Sequence, residues 1–294
     1  MTGANMLRAR RLIRTTRKII FANYLTLFGA VITGVVVFTA VFAPVIAPHD
    51  PYAQDIANQF QAPSWTHLMG TDQYGRDVFT RVLYGARISL QVGLLAVGIA
   101  VGSGVPLGLL SGYYGRYVDE TIMRTMDIMF AFPAILLAIT LMAILGQSML
   151  NLIIAIGIVY TPIFARITRS EVLSVREEQY ATAARAIGDR DFAIMTKDIL
   201  PNVLAPIIVQ ATISIAFAIL TEAALSFIGL GAPRPEASWG RMLSDARQFM
   251  DHSWWTAVFP GFAIMITILA INFIGDGIRD TLDPKHDAEA KGGY

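Results

Sequence analysis

The chain contains no cysteine and few charged residues. Without cysteine it can form no disulfide, thiol nucleophile or cysteine-ligated iron–sulfur centre. Only 15% of its 294 residues are charged, against about 25% in an average soluble domain. The net charge of +1 provides no bulk field for nucleic acid. With 54% hydrophobic residues, this composition indicates a membrane protein.

Sequence motifs for catalysis and nucleotide binding are also missing. No lysine follows a glycine, so there is no phosphate-binding loop, and HExxH, GxSxG and GxGxxG do not occur. The four histidines are scattered, and their spacing predicts no metal cluster: His49, His67, His252 and His286. We therefore expect no cofactor and no catalytic residue in this chain. If ATP drives its function, another chain binds the nucleotide.

Six apolar segments are long enough to cross a bilayer, for which about 17–25 residues are needed. They lie near residues 24–46, 88–112, 127–146, 149–165, 203–230 and 256–275. The first is too long for the apolar region of a signal peptide, and no clear cleavage site follows it. The expected organisation is a basic segment at 1–23, a transmembrane domain at 24–280 with a central polar loop at 166–202, and a tail at 281–294. The fold class is all-α membrane protein.

The distribution of basic residues predicts the orientation. With a cytoplasmic N-terminus, the inner segments hold about 17 of the 23 Lys and Arg residues. Both termini and the 166–202 loop are then cytoplasmic, and residues 47–87 and 231–255 lie outside. The basic N-terminal segment is expected to lie as a helix on the inner leaflet.

The second span carries two runs of glycine at four-residue spacing, which allow another helix to approach closely. The runs are Gly98/Gly102 and Gly104/Gly108/Gly112. They indicate tight helix packing and an incomplete bundle that needs a partner. Pro106 and Pro133 are expected to kink their spans, which is compatible with a translocation path or with ordinary packing.

Two acidic residues within the apolar segments need a partner. Asp127 follows Arg124 by about one turn, so a local ion pair is expected. Glu222 lies deeper in its span, and intramembrane charge is often functional. It is predicted to contact either a substrate path or a partner subunit, and the sequence does not separate the two.

The stretch from Tyr180 to Asn202 reads as a helix, a glycine turn and a second helix. Helical spacing places four residues on one face: Tyr180, Ala183, Ala184 and Ile187. Gly188 ends this helix in the left-handed conformation. Asp189 or Asp191 is expected to cap the second helix, whose face carries Phe192, Met195 and Ile199. An amphipathic helix resting on the bilayer is the alternative.

The spacing of Ala183-Ala184, Gly188 and Leu200-Pro201 resembles the coupling loop of ABC importer permeases, although Thr182 replaces the usual glutamate. The resemblance implies a type I importer permease fold in which this loop docks into a cytoplasmic ATPase. The implied contact residues are Ala183, Ala184, Arg185, Ile187, Gly188, Arg190 and Asp191.

Further blocks resemble the dipeptide/oligopeptide/nickel permease family, in its C-type subunit. They include GTDQYGRD at 70–77, LSFIGLG at 225–231 and SWG at 238–240. Arg76, Asp77 and Trp239 are candidates for docking a binding protein, whereas Trp254 and Trp255 are expected in an interfacial belt.

The resemblance implies one permease subunit of an ATP-driven importer in a bacterial-type cytoplasmic membrane. Its implied partners are a homologous permease, two ATPases that bind ATP and Mg²⁺, and an extracytoplasmic binding protein. Peptides are the expected substrate, with nickel complexes, glutathione or oligosaccharides as alternatives. From a different class, a secondary transporter would need an internal repeat or a broken helix, and neither is evident in the sequence.

Overall fold

The computed structural model describes residues 23–282 and is built from long helices. The predictions for the basic N-terminal segment and for the C-terminal tail beyond residue 282 lie outside the described residues. We number the helices in chain order: α1 Tyr24–Ile46, α2 Val78–Tyr114, α3 Arg116–Phe130, α4 Ala134–Leu145, α5 Met149–Val175, α6 Gln179–Ala186, α7 Asp191–Phe227, α8 Trp239–Ala246 and α9 Trp255–Leu282. Within residues 23–282 there are no strands beyond one isolated bridge between Thr71 and Asp77.

Five helices are long and apolar enough to cross a membrane, and a sixth span results if the bent pair α3–α4 counts as one. The prediction of an all-α protein with six spans is therefore confirmed. Several boundaries differ, because α2 begins at Val78 and α5 continues to Val175. Both extensions contain polar residues, which lower the mean hydropathy and so place these segments outside the predicted spans.

The third span is not the single apolar helix that the sequence predicted at 127–146. It is broken between Phe130 and Ala134, where α3 and α4 meet at 92°. Pro133 lacks a backbone N–H and disfavours helical geometry at the preceding residue, which explains the break. The expected kink at this proline is confirmed, and the view that no helix is broken is wrong. Pro106, in contrast, lies inside the continuous helix α2.

The seam between α2 and α5 depends on glycine. A Cβ atom on Gly104 would lie 2.6 Å from the carbonyl oxygen of Thr161, and one on Gly112 would lie 2.7 Å from Cβ of Val172. This run of glycines therefore allows close packing between two helices of the same chain. A Cβ atom on Gly98 or Gly102 would meet nothing within 4 Å, so these two glycines lie on an open face of α2.

Two connecting regions at one end of the bundle fold over it, and we call them the capping layer (residues 47–77 and 229–254). Buried charged side chains hold this layer onto the bundle. Arg81 donates to the carbonyl oxygen of Pro51 at 2.9 Å, and Nε of Arg76 lies 2.7 Å from Oδ2 of Asp72. Helix α2 begins in this layer and ends beside α6, about 55 Å away at 1.5 Å per residue. The α6 turn and the capping layer thus occupy opposite ends of the bundle.

Candidate functional site

The segment from Gln179 to Asp191, which we call the 179–191 turn, is a rigid helix–glycine–helix unit. Gly188 has φ of +84° and donates its N–H to the carbonyl oxygen of Arg185 at 3.1 Å. The N–H of Asp189 donates to the carbonyl oxygen of Ala184 at 3.1 Å. These two bonds form the Schellman motif, which satisfies carbonyl groups at the end of a helix. The structure thus shows the predicted glycine turn.

The two faces of α6 differ in exposure. Ala181 and Ala184 are 0% and 8% exposed, and Ala184 packs in the main hydrophobic core of the chain. Tyr180, Ala183 and Ile187 face outward, and Ile187 is 79% exposed. Ala184 was expected to contact a partner, but in this structure its surface is covered by the chain itself. The outward face therefore begins at Ala183 and is completed by Ile187.

The second half of the turn leads directly into α7. The predicted cap by an aspartate is wrong, because Arg190 holds the N-cap position without a side-chain hydrogen bond. Asp191 lies in the first turn and accepts a hydrogen bond of 2.7 Å from the hydroxyl of Tyr113. Phe192 is 74% exposed and not on the buried face with Met195 and Ile199. From Asp191, α7 continues for 37 residues, with π-helical geometry at Ile194–Ile199.

Two arginines, Arg185 of the turn and Arg169 of α5, hold the neighbouring ends of α2 and α3. The guanidinium of Arg185 lies 5.1 Å from the ring centroid of Tyr113 on α2. Arg169 donates to both carboxylate oxygens of Asp119 on α3, at 2.5 and 2.6 Å. Such bidentate pairs fix orientation as well as distance. Arg190 is exposed.

Asp127 pairs across helices and not within its own. Its carboxylate lies 2.5 Å from the guanidinium of Arg166 on α5, while Arg124 instead reaches Glu120 at 3.3 Å. The expected local pair with Arg124 is therefore wrong. Tertiary packing brings Arg166 closer than the neighbour one turn away.

Glu222 is fully buried and binds residues of its own chain. Its carboxylate accepts hydrogen bonds from Ser226 at 2.6 Å on α7 and from Ser89 at 3.2 Å on α2. Glu222 thus joins α7 to α2, and it lines neither an open path nor an exposed subunit surface in this structure.

The residues expected to dock a binding protein are buried in the capping layer. Arg76, Asp77 and Trp239 are 6%, 3% and 2% exposed. Asp77 caps α2 by accepting from the N–H of Thr80 at 2.8 Å, and Nε1 of Trp239 donates to the carbonyl oxygen of Val82 at 2.9 Å. Their side chains hold the layer together and offer no surface to a partner, so this expectation is corrected.

The exposed part of the capping layer was not identified from the sequence. Trp65 is 98% exposed and Ile56 is 69% exposed. Trp254 is 54% exposed, whereas Trp255 is buried and donates from Nε1 to the carbonyl oxygen of Thr71 at 3.1 Å. Trp65 lies in a loop without helical or strand periodicity. The sequence around it therefore gives no pattern from which its exposure could be predicted.

One ion pair and one hydrogen bond to a carboxylate stiffen the edge of the same layer. Asp245 binds Arg234 at 2.8 Å, and this attraction raises the pKa of the Arg234 guanidinium. The hydroxyl of Tyr52 lies 3.3 Å from Glu236, and burial together with that carboxylate raises the pKa of the phenol. The Arg234 guanidinium therefore stays charged and the Tyr52 phenol stays neutral across the neutral pH range.

A cavity of about 490 Å³ lies beside the break between α3 and α4. Its wall is mostly apolar, with Phe130, Pro133 and Phe217 among its residues. Gln210 and Ser214 of α7 line it with polar groups and are joined by a hydrogen bond of 3.1 Å. Interrupted helical backbone within a membrane is tolerated where it is buried or lines a watery cavity. The break and the cavity occur together here.

The chain matches two protein-family models. Residues 104–287 match the model described as "Binding-protein-dependent transport system inner membrane component". Residues 12–63 match the model of the N-terminal TM domain of oligopeptide transport permease C. Together the two models reach from the first span to the last.

Curated relatives match over most of their length. A dipeptide transport system permease protein of Alkalihalophilus pseudofirmus is 52% identical over 90% of this chain and 86% of its own. A di/tripeptide transport system permease protein of Pseudomonas aeruginosa is 45% identical over 85% of this chain and 84% of its own. A glutathione transport system permease protein of Pectobacterium atrosepticum is 41% identical over 93% and 92%.

Solved structures share the fold at low sequence identity. An inward-facing form of the MetNI methionine ABC transporter superposes with a TM-score of 0.57 at 19% identity, covering 68% of this chain and 96% of that one. A crystal structure of an amino acid ABC transporter with histidines gives 0.52 at 16% identity, over 67% and 92%.

Proposed function

Because the chain belongs to the family of binding-protein-dependent transport system inner membrane components, we propose that it forms half of an import path for di- or oligopeptides. The chain is a multi-pass permease subunit of an ABC importer, and hydrolysis takes place on separate chains. The proposed complex adds a homologous permease, two ATPases that bind ATP and Mg²⁺, and a substrate-binding protein.

The proposed orientation places the 179–191 turn in the cytoplasm. Arg116, Arg124, Arg185 and Arg190 are exposed at that end of the bundle. The capping layer exposes two arginines, Arg234 and Arg247, while its Arg76 is buried in an ion pair with Asp72. Since cytoplasmic loops carry an excess of Lys and Arg, this distribution supports a cytoplasmic turn and an outer capping layer.

The observation that carries the proposal is the exposed apolar surface of the turn. Ala183, Ile187 and Phe192 face away from the chain, and large apolar groups exposed on a rigid element are typical of interaction sites. We propose that they fill a cleft of the ATPase. Arg185 and Arg190 lie beside them and are suited to polar contacts at the rim.

Coupling requires that a displacement of the turn reach the membrane spans. Gly188 closes the turn rigidly, and Asp191 starts the same helix that passes the cavity at Gln210 and ends at Phe227. A nucleotide can shift the permease only through contacts that differ between its states. We propose that α7 transmits the difference, while the Tyr113–Asp191 bond makes α2 move with it.

The proposed path runs along the cavity at the α3–α4 break. Gln210, Ser214 and Tyr160 provide hydrogen-bonding groups in an otherwise apolar wall, as suits passage of a polar backbone. The peptide substrate is supported by the names of the relatives. Glutathione is the substrate named for one of them and is itself a peptide, so it falls in the same chemical class.

Reconstitution tests the proposal. The chain is placed in vesicles with the homologous permease, the ATPases and the binding protein. Uptake of a labelled dipeptide is then measured with and without ATP. We expect uptake that requires ATP and every component. Uptake by this chain alone would reject the importer in favour of a secondary transporter.

Substrate class is decided in the same vesicles by competition. Excess unlabelled dipeptide or tripeptide is expected to inhibit, whereas nickel complexes and oligosaccharides are not. Inhibition by nickel complexes or oligosaccharides, without inhibition by peptides, would contradict the proposed peptide substrate. It would leave the proposal of an ATP-driven importer standing.

A further inference from the structure

Three residues from separate parts of the capping layer converge on one point. His49 follows the end of α1, His67 lies in the loop before α2, and Asp77 is the N-cap of α2. Their candidate ligand atoms all lie within 4.8 Å of one another. Spacing along the chain predicted no metal cluster, yet folding brings together two imidazoles and a buried carboxylate.

The His67–Asp77 pair alone is explained by ordinary hydrogen bonding. Nδ1 of His67 lies 2.9 Å from Oδ1 of Asp77, and Oδ2 of Asp77 accepts from the N–H of Thr80 at 2.8 Å. His49 is different. Its Nδ1 lies 3.7 Å from Oδ2 of Asp77, beyond hydrogen-bond length, and its ring stacks on that of His67 at 4.8 Å between centroids.

A ring nitrogen held just beyond bonding distance of a carboxylate fits a cation between the two. Zinc binds imidazole nitrogen and carboxylate oxygen at about 2.0–2.2 Å, so neighbouring ligand atoms of a tetrahedral site are about 3.4 Å apart. The separations of 2.9 and 3.7 Å in this cluster bracket that value. The side chain of His49 is 40% exposed, which leaves it free to adjust and leaves a fourth position for water.

We propose that His49, His67 and Asp77 bind one divalent transition-metal ion of the zinc class. Two imidazoles with one carboxylate favour zinc, cobalt or nickel over magnesium and calcium, which prefer oxygen ligands. The N–H of Thr80 orients the carboxylate from behind, as partners of metal ligands commonly do. The ion fastens the end of α1 and the 62–67 loop to the start of α2, so its role is to stabilise the capping layer.

The test uses the purified full-length chain, stripped with a chelator and then given ZnCl₂. Bound zinc is counted by elemental analysis after gel filtration, and thermal unfolding is followed with and without the ion. We expect one zinc per chain and a higher midpoint temperature with zinc, because a ligand that binds only the folded state stabilises it. Magnesium at the same concentration is expected to have no effect.

Two variants separate ligation from folding. His49→Gln removes a half-exposed ring that makes no close hydrogen bond to Asp77, so the metal-free midpoint should equal that of the metal-free wild type. Its zinc affinity should fall by at least about tenfold, since loss of even an indirect partner of a metal ligand costs about 10- to 100-fold. His67→Asn keeps an N–H donor near Asp77 and should lose zinc to the same extent.

His252→Gln is the matched control, because His252 is an exposed histidine in the same layer. It should bind zinc like the wild type. The proposal is overturned if the wild-type chain retains no zinc, if His49→Gln binds as tightly as the wild type, or if His252→Gln weakens binding equally.

Discussion

The hydroxyl of Tyr113 donates a hydrogen bond of 2.7 Å to the carboxylate of Asp191, which joins the last turn of α2 to the first turn of α7. The same tyrosine ring receives the guanidinium of Arg185 at 5.1 Å. Both helices that emerge beside the 179–191 turn are therefore connected through one side chain. The 179–191 turn is therefore in contact with α2 as well as continuous with α7.

Tyr113→Phe should weaken this connection without disturbing the fold. The phenylalanine keeps the ring beneath Arg185 and loses one hydrogen bond, worth about 0.5–1.5 kcal/mol. We expect normal assembly and a lower ratio of transport to ATP hydrolysis in vesicles. Tyr117→Phe, at an 80% exposed position on α3, is the control and should keep the wild-type ratio. Equal ratios in both variants would show that the bond has no part in coupling.

Gly188→Val should uncouple hydrolysis from transport. Nothing lies within 4 Å of a Cβ atom at Gly188, so the substitution causes no collision, but its φ of +84° is strained for valine by about 1–3 kcal/mol. We expect weaker ATPase docking or uncoupled hydrolysis, with normal insertion in the membrane. Complex yield, hydrolysis and uptake are measured together.

Gly188→Asn is the matched control, because asparagine adopts the left-handed conformation more readily. It should restore most of the coupling. A reduced yield of Gly188→Val with an unchanged ratio of transport to hydrolysis would make the turn purely structural.

Glu222→Ala should destabilise the chain and leave the transport mechanism unchanged. Removing the carboxylate leaves the hydroxyls of Ser89 and Ser226 without their acceptor in the core, at a cost of more than about 2 kcal/mol. We expect a lower thermal midpoint and lower yield, with normal uptake per folded complex. Normal stability combined with altered uptake would indicate instead that Glu222 acts in the substrate path.

Gly85→Ala should destabilise the junction between α2 and the capping layer. A Cβ atom at Gly85 would overlap the indole ring of Trp239, and overpacking of this kind costs about 1–3 kcal/mol. Gly98→Ala is the control on the same helix, where nothing lies within 4 Å. Thermal unfolding of the two variants is compared. Equal midpoint temperatures would show that the Trp239 ring shifts to accommodate the added methyl group at little cost in stability.

Single cysteines test the orientation, since the chain has none of its own. Trp65→Cys in the capping layer should react with an impermeant thiol reagent in intact cells. Ile187→Cys in the 179–191 turn should react only after permeabilisation. Both wild-type side chains are highly exposed in this chain, at 98% and 79%, so the membrane alone limits access when the chain is expressed without its ATPase partners. The reversed pattern would reject a cytoplasmic turn.

Features set by neighbouring residues were predictable from the sequence. The glycine turn at Gly188 and the kink at Pro133 follow from backbone preferences of single residue types. The six spans follow from apolar length. Hydropathy placed their centres well, and it missed the start of α2 because Arg81 and Arg87 lie in the first turns of that helix.

Features set by distant contacts were not predictable. Ser89 lies 133 positions from Glu222, and Arg166 lies 39 positions from Asp127. Which face of α6 is buried depends equally on packing, because Ala183 and Ala184 are chemically identical. The motif at 70–77 was read as a docking surface, whereas its charges hold the capping layer onto α2.

The close packing of α7 beside Glu222, where Gly240 of α8 lies against the backbone of Ala223, gives α7 a fixed point close to one of its ends. From Glu222 to Asp191 is about 46 Å along the helix, and from Glu222 to Gln210 is about 18 Å, at 1.5 Å per residue. A tilt of about 5° around this pivot would move the 179–191 turn by about 4 Å and the cavity wall by about 1.6 Å. With the turn docked on the ATPase as proposed, the helix would behave as a lever of unequal arms, in which a large displacement of the turn becomes a small, forceful one beside the proposed substrate cavity.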